Sequence, residues 1–166
     1  MLPLAVLYSM TMVGSVGGGW FPTYFINKGY KPYDGRMKAM LVIACIPLVV
    51  LASQPLGGYS FWVPVLLIGI GTSAHQAWSA NIFTTVSDMF PKKSIASVIG
   101  IGGMAGSIGG MLFPLLVGTV LDHYKTLGNI NIGYNILFVI CGCGYLVAWV
   151  LMHFLAPRME RIKGQA

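Results

Sequence analysis

The side chains able to hold a polar ligand are crowded into one stretch of the chain: Thr72, Ser73, His75, Gln76, Trp78, Ser79, Asn81, Thr84 and Thr85. At roughly 100° per residue in a helix, Thr72, His75, Gln76 and Ser79 fall within an arc of about 100°, a polar strip on one face. Asn81 lies on a different face from Gln76. Imidazole, carboxamide and hydroxyl together supply donors and acceptors suited to a hydroxyl-rich ligand, and Trp78 offers a stacking surface. Catalysis is not what these residues suggest. His75 has no carboxylate or second histidine at i+4, and the four acids, Asp34, Asp88, Asp122 and Glu160, all lie at the membrane surfaces. No enzyme, metal centre or cofactor is expected. Cys45, Cys141 and Cys143 sit inside apolar stretches, and Cys141 and Cys143 point to nearly opposite faces of a helix, so neither a disulfide nor a metal site is expected from them.

The elements that carry the strip must be membrane helices. Of the 166 residues 56% are hydrophobic and 8% charged, too little polar surface to cover a soluble globule. Apolar runs long enough to cross roughly 30 Å of hydrocarbon recur with polar punctuation between them, and they lack the alternation of a membrane β-barrel. An all-α membrane protein with five helices is predicted, at about residues 3–26, 38–56, 61–88, 94–121 and 133–156. Breaks fall at Gln54-Pro55-Leu56-Gly57-Gly58, at Asp88-Met89-Phe90-Pro91-Lys92-Lys93 and at Asp122. The strip then lies near the bilayer centre, where unpaired polar groups are unfavourable and mark function or interhelical hydrogen bonds.

The charge of +6 belongs to membrane topology and not to nucleic acid, because the cations sit in short clusters between apolar spans. Lys28, Lys31, Arg36 and Lys38 lie in the first loop, Lys92 and Lys93 in the third, and Arg158, Arg161 and Lys163 in the tail. Lys125 alone falls on the other side. By the positive-inside rule the C-terminus is cytoplasmic and the N-terminal end of the chain outside. Met1 leads into an apolar stretch with no cation before Lys28, so no signal peptide is read there and upstream helices of a longer protein are expected.

The helices differ in kind. The second, without glycine from Ala39 to Leu56, and the fifth are expected to face lipid. The first carries Gly14, Gly17, Gly18 and Gly19, and the fourth Gly102, Gly106 and Gly110 at four-residue spacing beside Gly103, Ser107 and Gly109. Such stripes let another helix approach closely, either in fixed packing or across a surface that slides during a conformational cycle. They are not a phosphate loop, which needs an aqueous strand-to-helix turn. Asp88 and the basic pair Lys92 and Lys93, at the cytoplasmic membrane edge, serve either as capping and topology signals or in a gate ion pair with another loop that breaks on opening. His123 and His153 lie near opposite surfaces and are read as spectators.

The run from Ala74 to Asn81, the continuation Phe83-Thr84-Thr85-Val86-Ser87-Asp88-Met89-Phe90-Pro91-Lys92, and then Gly100-Ile101-Gly102-Gly103-Met104-Ala105-Gly106 resemble the hexuronate transporters of the anion:cation symporter family, within the major facilitator superfamily. The resemblance implies that residues 1–166 are a partial C-terminal transmembrane domain, helices 8 to 12 of twelve. In that arrangement helices 8 and 11 face the opposite half, 10 lines the cavity, and 9 and 12 are peripheral. It further implies inward transport of a small organic anion, a sugar acid such as glucuronate or galacturonate, with H⁺ or Na⁺, across a bacterial inner membrane. The arginines and acids that hold the carboxylate in that family would lie in the missing N-terminal helices. Here His75, Gln76 and Ser79, with Trp78 and Asn81, are expected to meet sugar hydroxyls. The competing expectation is a truncated or non-transporting membrane subunit with a structural role.

Overall fold

A computed structural model describes residues 2–156, and among these every regular element is helical. The order is α1 (Leu2–Asn27), α2 (Pro32–Cys45), a 3₁₀ segment (Ile46–Ala52), α3 (Ser53–Leu56), α4 (Trp62–Met89), α5 (Lys92–Thr126) and α6 (Ile130–Leu155). Arg158, Arg161 and Lys163 lie outside the described residues. The chain forms two compact units, residues 2–82 with 138–156, and residues 83–137.

Turn chemistry explains the ends of several helices. Gly29, at φ 92°, closes α1 in the left-handed region, where the Gly29 amide donates to Ile26 O at 2.9 Å. Pro32 then stands at the first helical position of α2, where its missing N–H leaves no bond unmade. The second membrane segment thus begins about a turn and a half before residue 38, and Arg36 and Lys38 are helical. Within it the backbone tightens to 3₁₀ geometry at Ile46, next to Pro47, whose ring and lost N–H do not fit a continuous α-ladder. Gly128, at φ 75°, closes α5 in the same way as Gly29 closes α1.

The core of the first unit is built on α2. Met40, Ile43 and Ala44 cluster with Ala74, Ala77 and Trp78 of α4, and Phe21, Tyr145, Leu146 and Trp149 pack around them. The Trp149 indole N–H donates to Met37 O at 3.0 Å, tying α6 to α2. Gly142 of α6 lets the Pro47–Leu48 backbone approach. This corrects the expectation that the glycine-free second helix faces lipid on most of its circumference. It is the most buried of the apolar spans, 39% against 0% for α5. An apolar side chain is equally at home against lipid and against another helix, so absence of polar residues does not mark a peripheral helix.

In the second unit, α5 and the start of α6 form a hairpin in which Gly133 lies against Leu121 and Tyr124. The rest of α5 displays Ile101, Met104, Met111 and Leu115, each more than two-thirds exposed. Continuous apolar surface of that kind belongs in lipid or against protein.

Four spans, α1, Pro32–Leu56, α5 and α6, are long and apolar enough to cross a membrane. Helix α4, at 28 residues, has the length but not the apolarity, because of its polar strip. Lys28 Nζ lies 4.4 Å from the Tyr24 ring centre and Lys38 Nζ 3.7 Å from that of Tyr30. Cations on amphipathic aromatics suit a membrane–water interface. The fold is that of an all-α membrane protein.

Candidate functional site

Helix α4 divides its residues by direction. Gly71, Ala74, Ala77, Trp78 and Asn81 are buried, and they fall within about 120° of helical arc at 100° per residue. His75 is exposed, with Thr72, Gln76 and Ser79 half-buried, on the other side of the helix. The strip expected from the spacing is therefore open along Thr72, His75, Gln76 and Ser79.

Trp78 and Asn81 are not on it. Trp78 is 9% exposed and belongs to the core against α2. Asn81 is 2% exposed, and its Nδ2 donates to Gly18 O and to Ala77 O, both at 2.8 Å. A carboxamide inside a helix pair satisfies its donors on backbone carbonyls there, as buried polar groups must. Both residues, expected at the ligand, are placed in helix packing.

The residue that sequence reasoning missed is Tyr145 of α6. Its hydroxyl is hydrogen-bonded to His75 Nδ1. Its ring meets His75 at 6.1 Å and 62° and Trp78 at 5.6 Å and 67°, both edge-to-face. Tyr145 thus stands at the border between the packed side of α4 and the strip. A phenol in the middle of an apolar helix is itself a signal, because its O–H needs a partner at that depth.

Two hollows lie elsewhere in this unit. A cleft of about 310 Å³ between α1, α2 and α4 is lined by Met10, Gly14, Gly17, Ile43, Ala74 and other apolar residues. With Ser73 as its sole polar side chain it is a gap between helices and not a sugar site. A second, of about 420 Å³, is bordered by Tyr30, Asp34, Lys38, Trp149 and His153 at the aromatic, charged end of the helices. His153 stacks on Trp149 at 5.3 Å and 8° within that wall.

The two glycine stripes have different surroundings. A Cβ on Gly14 would overlap the Ser73 carbonyl, and one on Gly18 would overlap the Cα and Cβ of Ala77, so these two hold α1 against α4. Around Gly102, Gly103, Gly106 and Gly110 a Cβ would meet nothing within 4 Å among the described residues, and Ser107 bonds back to Gly103 O at 3.0 Å on an exposed face. Asp88 sits in the last turn of α4 and Lys92 is the first residue of α5, each opposed to the dipole of its own helix. The N-cap of α5 is Pro91, with no side-chain cap bond.

No protein-family model matches the chain, and no solved structure does. The chain is similar to the hexuronate transporters of Escherichia coli strains K12 and O157:H7, at 26% identity over 145 residues in each case. That match covers 84% of this chain and 31% of each relative, so the chain spans about a third of the length of the curated proteins it matches. With four apolar spans and the polar α4 among its helices, the chain is a multi-pass membrane protein distantly similar to one part of a transporter.

Proposed function

We propose that this chain is a C-terminal part of a secondary transporter for a sugar acid, in which the open face of α4 lines the path of the substrate. The observation that carries the proposal is the strip itself. His75 is exposed, and Thr72, Gln76 and Ser79 are half-buried, on one side of a helix whose other side packs against α1 and α2. Polar side chains at membrane depth persist where they line an aqueous path or meet a ligand. The similarity to hexuronate transporters supports a uronate such as glucuronate or galacturonate as the substrate.

In this proposal the rest of a longer polypeptide supplies the opposing helices and the charges that couple the ion, a proton or Na⁺. The open Gly102–Gly106–Gly110 face of α5 receives one of those helices. Asp88 and Lys92 act at the gate, and the basic clusters place the C-terminal end of the chain in the cytoplasm of a bacterial inner membrane.

The test is uptake of labelled glucuronate and galacturonate by cells making the complete reading frame, beside cells making these 166 residues alone. Saturable uptake by the former that falls in Gln76→Ala and Ser79→Ala is the expected result. Absence of uptake of either acid by the complete protein would leave the fold standing, overturn the substrate assignment and favour a non-transporting membrane subunit.

A further inference from the structure

We infer that Tyr145 is a positioning residue that fixes His75 as a hydrogen-bond donor through Nε2, so that the strip on α4 recognises the carboxylate of its ligand and not only its hydroxyls. This deepens the transporter reading and rests on it for the identity of the ligand.

The argument begins at the hydrogen bond between the Tyr145 hydroxyl and His75 Nδ1. Of its two possible directions one is strongly preferred. A phenol O–H is a better donor than a neutral imidazole N–H, and a bare imidazole nitrogen is a better acceptor than a phenol oxygen. The Tyr145 O–H therefore donates to Nδ1, and the ring hydrogen of neutral His75 resides on Nε2. When His75 is protonated both nitrogens are donors and the Tyr145 oxygen accepts from Nδ1. Nε2 is a donor in either state.

His75 is exposed, and Nε2 has no hydrogen-bond partner among the described residues. The two edge-to-face contacts of Tyr145, with His75 and with Trp78, hold the phenol from two sides, and Trp78 is itself locked in the core. The donor is thus presented by a chain of packed groups running from the core through Trp78 and Tyr145 to His75.

A donor held in place at this depth suits an acceptor, and best an anionic one, because charge-assisted hydrogen bonds are about twice as strong as neutral ones. Among the described residues no lysine or arginine lies on the strip. Gln76, Ser79 and Thr72 also carry donors, and the Thr72 hydroxyl is already bonded to Gly69 O at 3.0 Å; His75 Nε2–H is the donor held in place by a side chain of another helix, Tyr145, and is therefore the one assigned to the carboxylate, beside the arginines that the resemblance places on the opposite half.

Two measurements test this separately. In the protein labelled with ¹⁵N-histidine in lipid bilayers, the His75 resonances, identified by their loss in His75→Gln, should show hydrogen on Nε2 and a bare Nδ1 in the neutral state. Tyr145→Phe should yield a mixture of tautomers. A dominant Nδ1–H signal with Tyr145 intact would overturn the inference, whatever the protein transports and whether or not the variant folds.

In uptake assays of the complete reading frame, Tyr145→Phe should raise KM for glucuronate on the order of tenfold with little change in maximal rate per protein at the membrane. Inhibition by glucuronamide, which lacks the charge, should barely change. The double variant Tyr145→Phe/His75→Gln should be no worse than His75→Gln alone. Equal weakening of acid and amide, or additive losses, would reduce Tyr145 to packing. If the complete protein carries no uronate at all, the transporter reading fails while the tautomer measurement still decides the role of Tyr145.

Discussion

Asn81 joins α4 to α1 by donating its carboxamide N–H to the backbone carbonyl of Gly18 at 2.8 Å. Gly18 accepts that bond because its missing side chain lets Ala77 of α4 come against the α1 backbone. Each residue makes the other's contact possible. A larger residue at Gly18 would push the helices apart and break the bond, and loss of Asn81 would leave the closely packed backbone without its cross-link.

This pair yields the first prediction. Gly18→Ala should lower stability in detergent by about 1–3 kcal/mol through overpacking. Asn81→Leu should lower it by about 1–2 kcal/mol through the lost interhelical bond and the misfit of the new side chain. Because the two act at one contact, the double variant should fall short of the sum. Additive losses in equilibrium unfolding would mean that the contact is not shared.

The open stripe on α5 should respond in the opposite way. Among the described residues nothing stands within 4 Å of a Cβ built on Gly106, so Gly106→Ala should leave the 166-residue chain as stable as before, or raise stability by up to about 1 kcal/mol through better helix propensity. In the complete reading frame the same substitution should reduce uptake if a second helix approaches there. Unimpaired uptake would remove this face from the proposed interface.

Trp78 and its neighbours Gln76 and Ser79 should separate stability from transport. Trp78→Ala empties a site 9% exposed in the core and should cost roughly 3 kcal/mol. Gln76→Ala and Ser79→Ala, on the half-open side, should shift unfolding by less than about 0.5 kcal/mol while uptake falls. Thermal unfolding beside uptake in the same membranes would check both. A large loss of stability in Gln76→Ala would place it in the packing after all.

Ser53 offers a stabilising change. It is 2% exposed, and its hydroxyl has no hydrogen-bond partner among the described residues, at the junction of the 3₁₀ segment with α3. Ser53→Ala removes an unmet polar group and should raise stability by about 1 kcal/mol. A loss of similar size on thermal unfolding would show that the hydroxyl is bonded in the membrane.

The sequence by itself determined the class of the protein and the existence of the strip. Lipid length, scarcity of charge and the turn residues at Pro55, Gly57, Gly58 and Pro91 are local properties, each legible without knowing what packs on what. The i, i+3, i+4, i+7 spacing of Thr72, His75, Gln76 and Ser79 follows from helix geometry alone. The tertiary structure decided which side of each helix is covered, since the same apolar residue satisfies lipid and core alike. It turned the glycine-free second helix into the centre of a unit, drew Trp78 and Asn81 into packing, set Gly14 and Gly18 against α4, and left the second glycine stripe open. It also brought Tyr145 to His75 across 70 residues of chain. Nothing in local periodicity encodes that pairing, because it depends on where α6 crosses α4.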